Sequence, residues 1–286
     1  MIPADVDYVR AQSLDAALAA LVESEALVLA GGHSLVPMMK LRLARPSRVV
    51  DISRLDLGGL RNAGGELEIG ALATWREIDE SPLVRARFAA VAECAAGVGD
   101  LQVRNWGTIG GGTAHADPAA DMPAALLAFD ATIRLASADG ERRVAARDFF
   151  LGPFTTARGD QEILVALTLP EPPPDEGSAY SAIKDPASGY PLAGAAARIR
   201  LDGERVASAS VALTGLAGRP FRAAEVEEGL VGSSPAAVAD MVRDALEGVP
   251  IADEPRIDAA YRRQLGRVVI RRAVESAAER ARGGGA

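Results

Sequence analysis

The sequence predicts an α+β protein of more than one domain, on three observations. A helical pattern flanked by two short apolar runs opens the chain. Asp-Gly pairs at 139–140 and 202–203 each divide two strand-like runs, and a proline-rich stretch at 170–177 sets off a mostly helical C-terminal part. At 286 residues the chain is long for one core and short for three full-sized domains.

The first helix is expected to open at Ser13 as N-cap, with Leu14, Ala17, Leu18, Leu21 and Val22 on one face. The runs Ala26–Ala30 and Arg48–Ile52 read as buried strands, and helix between strands suggests a small α/β unit with a parallel sheet. From Leu57 the texture changes. Leu67, Ile69 and Ala71 alternate as in a half-buried strand, and Thr74-Trp75-Arg76-Glu77 fits a capping box. Pro82–Ala96 reads as one helix ended by Gly97, and Asp117 can cap a helix over Ala119–Ala128. Asp139-Gly140 joins Ala131–Ala136 to Arg143–Ala146 as a hairpin, and Glu162–Leu169 is a further strand.

Pro170 to Gly177, with four prolines and three acids, reads as a linker that can hold neither a helix nor a central strand. Beyond it, Ala193–Leu201 and Arg205–Leu213 form a hairpin around Asp202-Gly203. Helices are expected over Ala223–Leu230, from Ser234-Pro235 to Glu247, and from Ile257 to Arg280, with Gly283–Gly285 fraying.

Composition narrows the function. A net charge of −8 disfavours a nucleic-acid partner, which would call for a basic face. No uncharged run approaches the ~18 residues of a membrane span, and the N-terminus lacks the pattern of a signal peptide, so the cytoplasm is expected. One cysteine, Cys94, and two histidines, His33 and His115, cannot hold an iron–sulfur cluster or a structural zinc of the usual kind. No metal site is expected in this chain, and any iron or molybdenum chemistry belongs to another one. Cys94, on an alanine-rich helix, reads as a small buried apolar residue.

Two glycine clusters carry the functional signal. Ala30-Gly31-Gly32-His33-Ser34-Leu35 follows a predicted strand, and Thr108-Ile109-Gly110-Gly111-Gly112 repeats the texture. Paired glycines bring backbone N–H groups close to an anion without Cβ interference, and Ser34 and Thr108 add hydroxyls. Neither segment is G-x-G-x-x-G and no G-K-[ST] follows, so Rossmann and P-loop readings fail on spacing. A tight turn is the commoner meaning of such a cluster, and the residues alone lead to an anion or dinucleotide site. Asp121 can accept a hydrogen bond from a ribose hydroxyl. No Ser/His/Asp or paired-carboxylate arrangement can be placed around either histidine, so the catalytic residues stay unknown.

At this point the sequence resembles a family. Ala30 to Arg42 resembles the first FAD motif of the medium, flavoprotein subunit of the molybdenum hydroxylases, the carbon monoxide dehydrogenase type in particular. Arg104 to Gly112 resembles the second motif, and His115 to Pro123 also fits. Xanthine dehydrogenase has a related flavin domain within a longer chain. The resemblance covers nearly the whole sequence, including Lys184–Ala197.

It implies an FAD-binding domain of the vanillyl-alcohol-oxidase (PCMH) type in two α+β lobes, at 1–56 and 57–170. A C-terminal domain at 178–286 follows, with a small antiparallel sheet and a helical bundle. It implies that Ala30, Gly31, Gly32, His33, Ser34 and Leu35, with Thr108, Ile109, Gly110, Gly111 and Gly112, hold the FAD pyrophosphate. Asp121 would contact the adenosine part, Lys184 would approach the cofactor from the C-terminal domain, and Tyr190 would lie beside the flavin. Gly112 departs from the family, which commonly has Asn or Ser there.

The function implied is that of an FAD-containing electron-transfer subunit. Its partners would be a small iron–sulfur subunit and a large molybdopterin subunit, in a dimer of heterotrimers. Quinone, NAD or oxygen would be the terminal acceptor, and the inner face of the membrane is an alternative location. The competing readings are a self-contained flavin oxidoreductase on the same fold, resembling the enolpyruvyl-glucosamine reductases, and a non-catalytic nucleotide-binding or assembly protein.

Overall fold

The structure, a computed structural model, describes residues 2–22, 25–253 and 257–283. The chain opens with β1 (Asp7–Arg10), α1 (Leu14–Val22), β2 (Ala26–Leu29), α2 (Leu35–Lys40) and β3 (Arg48–Asp51). The three strands form a parallel sheet in the order β1-β3-β2, as the helix-between-strands pattern predicts. Ser13 Oγ accepts from Ala16 N–H to start α1, whose Ala17, Leu18 and Leu21 pack with Val50 and Ile52. β1 escapes the sequence reading because Asp7-Tyr8-Val9-Arg10 is mostly polar and largely exposed, as edge strands tend to be. The parallel strands end together, Arg10 and Leu29 both opposite Asp51, so the chain leaves β2 at the carboxyl edge of the sheet directly into Gly31-Gly32.

The second unit contains β4 (Leu60–Asn62), β5 (Glu66–Gly70), α3 (Trp75–Glu80), α4 (Pro82–Arg87), α5 (Ala89–Gly97), α6 (Leu101–Trp106), α7 (Ile109–His115) and α8 (Met122–Ala128). It continues through β6 (Thr132–Ser137), β7 (Gly140–Ala145), α9 (Ala146–Phe149), β8 (Phe150–Gly152), β9 (Thr155–Thr156) and β10 (Ile163–Pro170). Its five-stranded antiparallel sheet has the order β4-β5-β10-β6-β7, and β10 is central because Ile163 to Leu169 is apolar on both faces. The capping box is formed, with Thr74 Oγ1 accepting from Glu77 N–H and Glu77 Oε2 from Thr74 N–H.

The single helix expected over Pro82–Ala96 is two. At Phe88 the backbone leaves the helical region (φ −129°, ψ 49°) and the ring enters the core against Phe129, 5.4 Å between centroids. The helix expected from Ala119 starts at Met122. Asp117 closes a turn instead, its carboxylate accepting from Ala119 N–H.

The third unit is an antiparallel meander of β11 (Glu176–Lys184), β12 (Pro191–Asp202), β13 (Arg205–Thr214) and β14 (Phe221–Arg222). The linker is shorter than the prolines suggested, since Pro170 completes β10 and Glu176 begins β11, pairing through both carboxylate oxygens with Arg198. α10 (Ala224–Leu230), α11 (Val238–Met241) and α12 (Ala259–Arg282) complete the unit, and α12 covers β11 and β12. The helix expected from Ser234 to Glu247 reduces to a 3-10 turn at Pro235–Ala237 and the one-turn α11. Of the glycine tail, only Gly283 lies within the described residues. Ala196 and Ala212 of the meander join the core of the second unit, so the two sheets are bridged through α5 and α8.

Candidate functional site

The first glycine segment crosses from β2 to α2. Gly31 lies against the end of α6: a Cβ there would come within 2.7 Å of the Trp106 carbonyl carbon, and closer still to its oxygen. Gly32 has φ +74°, where an L side chain is strained. Together they set the chain so that, among the described residues, no protein acceptor takes the N–H groups of Gly32, His33, Ser34 or Leu35. Ser34 occupies the N-cap position of α2, yet its side chain caps nothing, leaving the hydroxyl available. Amides that do not bond one another form a concave donor set suited to an anion.

The second segment is not a loop. Thr108 is the N-cap of α7, and Gly110, Gly111 and Gly112 lie in its first turns. The correction has a physical reason, because the glycines here permit packing. A Cβ on Gly110 would stand 2.6 Å from Ala71 Cβ, and one on Gly112 would stand 2.6 Å from the Trp75 ring. The amides are taken: Ile109 N–H donates to Ala73 O at 3.0 Å and Gly110 N–H to Ala71 O at 2.9 Å. Gly111 N–H donates to Thr108 Oγ1 at 3.2 Å and Gly112 N–H to Thr108 O at 3.0 Å. Because the Thr108 hydroxyl only accepts here, its proton remains available to a ligand.

Between the segments lies a cleft of about 360 Å³, within the range of small-molecule sites. Ala30, Gly31, Gly32, His33, Ser34 and Leu35 line it from one side and Thr108, Gly110, Gly111 and Gly112 from the other, while Ile109 is fully buried behind them. Trp75, His115, Phe154 and Arg158 complete the wall. His115 ends α7 with its ring 5.1 Å from that of Phe154, whose φ of +52° is held by donation of its N–H to Ala116 O. Burial pushes the His115 pKa below its ordinary 6.5, which keeps the imidazole neutral near pH 7. Sequence reasoning missed Phe154, Arg158 and Trp75. Only the fold brings them to the glycines.

Asp121 and Lys184 are brought to each other, beside the cleft rather than in its wall. Lys184 Nζ is 3.0 Å from Asp121 Oδ1 and also donates to Gly97 O; Tyr180 Oη donates to Asp121 Oδ1 at 2.8 Å. Burial raises the Asp121 carboxyl above its ordinary value, with Lys184 and Tyr180 opposing the shift. Tyr190 stands half exposed on the turn after β11, where burial and the charges of Asp117 and Asp121 raise its pKa. Cys94 is fully buried with a raised pKa, and its Sγ donates to Asp121 O, in keeping with its reading as a packed, unreactive residue. Among the described residues no group of three or more His, Cys, Asp or Glu could hold a metal ion.

The geometry agrees with the comparisons. The FAD binding domain in molybdopterin dehydrogenase matches residues 4–172, and the CO dehydrogenase flavoprotein C-terminal domain matches residues 178–277. The carbon monoxide dehydrogenase medium chain of Afipia carboxidovorans is 38% identical, over 99% of this chain and 100% of the relative. The glyceraldehyde dehydrogenase medium chain of Sulfolobus acidocaldarius is 37% identical over 97% and 100%. Among solved structures, Cu,Mo-CO dehydrogenase superposes with a TM-score of 0.94 at 38% identity, over 98% of this chain and 100% of that one. Quinoline 2-oxidoreductase from Pseudomonas putida 86 gives 0.93 at 29% identity, over 98% and 99%. The chain therefore belongs to the FAD-binding medium subunits of the molybdenum hydroxylases, oxidoreductase chains with FAD as their cofactor.

Proposed function

We propose that this chain relays electrons from an iron–sulfur partner chain to a terminal acceptor, and that the first glycine segment holds the FAD pyrophosphate. The observation that carries the site is the unpartnered amide set of Gly32 to Leu35, in a segment seated against the Trp106 carbonyl where a Cβ on Gly31 would collide. Bound FAD supplies a carrier able to take electrons singly and deliver them in pairs. The chain's own residues bind and orient. The amides and the Ser34 hydroxyl meet the anion, the Thr108 hydroxyl donates from the opposite wall, and Gly111 and Gly112 keep that wall thin. Trp75, His115 and Phe154 shield the cleft from water. Asp121 and Lys184, poised by their mutual ion pair, would meet the part of FAD extending past the cleft, with Tyr190 beside it.

The small iron–sulfur and large molybdopterin chains, their assembly as a dimer of heterotrimers, and quinone, NAD or oxygen as acceptor belong to the same proposal. So does a cytoplasmic location; among the described residues, no helix is long and apolar enough to cross a membrane. The test titrates flavin-free chain with FAD, FMN and riboflavin. Charge-assisted bonds to the pyrophosphate predict one FAD per chain and riboflavin weaker by about 100-fold. Equal affinity for riboflavin and FAD would overturn the cradle assignment.

A further inference from the structure

The pair of Asp121 and Lys184 joins the second unit to the third. Lys184 extends from β11 to the end of α5, where its ammonium donates to Gly97 O, the last carbonyl of the helix. A Cβ on Gly97 would stand 2.9 Å from Lys184 Nζ, so the glycine keeps that seat open. Asp121 is buried just before α8, and its side chain makes no capping hydrogen bond to that helix. The side-chain donors that reach its carboxylate come from β11. Burial raises the carboxyl above its ordinary value, so the ionised form depends on those donors.

One of the donors is Tyr180. Its Oη donates to Asp121 Oδ1 at 2.8 Å, from the same strand as Lys184. Groups other than Asp121 hold it there. Its backbone N–H donates to Glu93 Oε2 at 2.7 Å, and Glu93 Oε1 pairs with Arg280 of α12. Arg280 in turn donates to Ser178 O at 2.6 Å. The Tyr180 ring packs on the core of the second unit, and a Cβ on Gly194 of β12 would overlap its phenol oxygen and stand 3.0 Å from Cζ. The phenol is thus seated independently of the carboxylate it meets, as a group that orients another has to be. The other titratable groups facing Asp121 are Cys94 from α5, whose Sγ donates to its backbone oxygen, and Tyr190 from the turn after β11, which also feels Asp117. Burial keeps Cys94 and Tyr180 protonated.

We propose that Tyr180 is a positioning residue, whose hydroxyl fixes the Asp121 carboxylate against Lys184 so that the pair meets FAD in one arrangement. The inference rests on the reading that this pair contacts the cofactor. Because the hydroxyl donates to the charged form of the carboxylate, it also favours ionised Asp121.

The experiment uses the full chain with aspartate isotope-labelled at the carboxyl carbon, first free of FAD. The Asp121 signal is the one that Asp121→Asn removes, and its titration is followed by NMR. Tyr180→Phe keeps the ring in its seat and removes only the donor. It is expected to move the Asp121 midpoint up by about one pH unit, the worth of one hydrogen bond to a charged group. FAD affinity is then read by fluorescence titration across pH. The pH at which binding weakens should rise by the same interval in Tyr180→Phe, and below both midpoints the variant should bind FAD about tenfold more weakly. The double variant Asp121→Asn/Tyr180→Phe should match Asp121→Asn alone, since Tyr180 acts through Asp121. A residue that only packs would weaken FAD equally at every pH and leave the midpoint where it was. An unmoved Asp121 midpoint in Tyr180→Phe would overturn the proposal, and so would a further loss of affinity in the double variant. A moved midpoint together with full FAD affinity in Asp121→Asn would refute the contact between the pair and the cofactor, and leave Tyr180 as the residue that positions the pair.

Discussion

In the segment after β2, Gly32 through Leu35 present N–H groups that no protein atom accepts among the described residues, whereas in the segment opening α7 the N–H groups of Ile109 through Gly112 all have acceptors. Both are glycine-rich, both contain a hydroxyl residue, and both face one cleft. In the first, Gly31 seats the chain against the Trp106 carbonyl and Gly32, at φ +74°, turns it so that the donors stay free. The second uses Gly110 and Gly112 to let a helix settle onto Ala71 and Trp75. Glycine therefore admits a close neighbour in both segments, and the fate of the amides tells the segments apart, free in the first and taken in the second.

The sharpest way to break the comparison is Gly31→Ala set against Gly111→Ala. At Gly31 the new methyl would overlap the Trp106 carbonyl, a backbone atom that cannot swing away, so the segment must shift and its donors disperse. At Gly111 the nearest atoms are Thr108 Oγ1 at 2.9 Å and Ala30 Cβ at 3.9 Å, and the hydroxyl can rotate. Gly31→Ala is expected to weaken FAD binding by about 100-fold or more, equivalent to losing two charge-assisted hydrogen bonds. Gly111→Ala should cost less than about tenfold, as a modest steric adjustment would. Fluorescence titration with FAD reads both, and the reverse ranking would make the second segment the cradle.

Gly110→Ala tests the packing half. Its methyl would press on Ala71 Cβ and backbone, in a core already closed by Ile109 and Ile69. Overpacking of this kind costs about 1–3 kcal/mol. Urea unfolding should show that loss, while FAD affinity measured where the protein is fully folded should hold close to wild type. Unchanged stability would mean that Gly110 is not a packing residue.

How far the sequence could be read follows the same division. Strong local signals come through: the Ser13 cap, the Thr74–Glu77 capping box, the apolar runs of β2, β3 and β10, and the two Asp-Gly hairpins all form. Elements whose stability comes from neighbours do not. β1 is polar and held by pairing to β3, and β11 begins with Glu176 and Gly177 inside what the prolines mark as linker. α2 and α6 are six residues each and have no fully buried residue, leaving no periodic face to detect. At the site, the glycines were visible because their composition is unusual. Their division of labour was not, because it depends on whether Ala71 and Ala73, far up the chain, supply carbonyls. The pairing of Asp121 with Lys184, 63 residues apart, is equally a product of the fold.

Thr108→Ala should be milder than Gly110→Ala. It removes the hydroxyl that accepts from Gly111 N–H, and losing such a cap costs about 1 kcal/mol. Thr108→Ser should restore most of it. If Thr108→Ala instead weakens FAD far more than it lowers thermal stability, the hydroxyl serves the cofactor before the helix.

The smallest effect is expected at the other end of α7. His115 is half-buried against Phe154, and burial holds its pKa below 6.5, with the charge of Asp117 only partly offsetting the shift. In the window between that lowered value and 6.5 the unfolded chain binds more protons than the folded one. By linkage, stability then rises with pH across this window and is lost as pH falls through it. His115→Phe keeps an aromatic ring beside Phe154 but cannot titrate. Its unfolding free energy, measured by urea titration at successive pH values from 5 to 7.5, should therefore lack the rise that wild type shows just below 6.5. A profile that His115→Phe leaves unchanged would mean that this ring is not a buried, proton-resisting group, and the reading of α7 as a helix packed to its end would fail there.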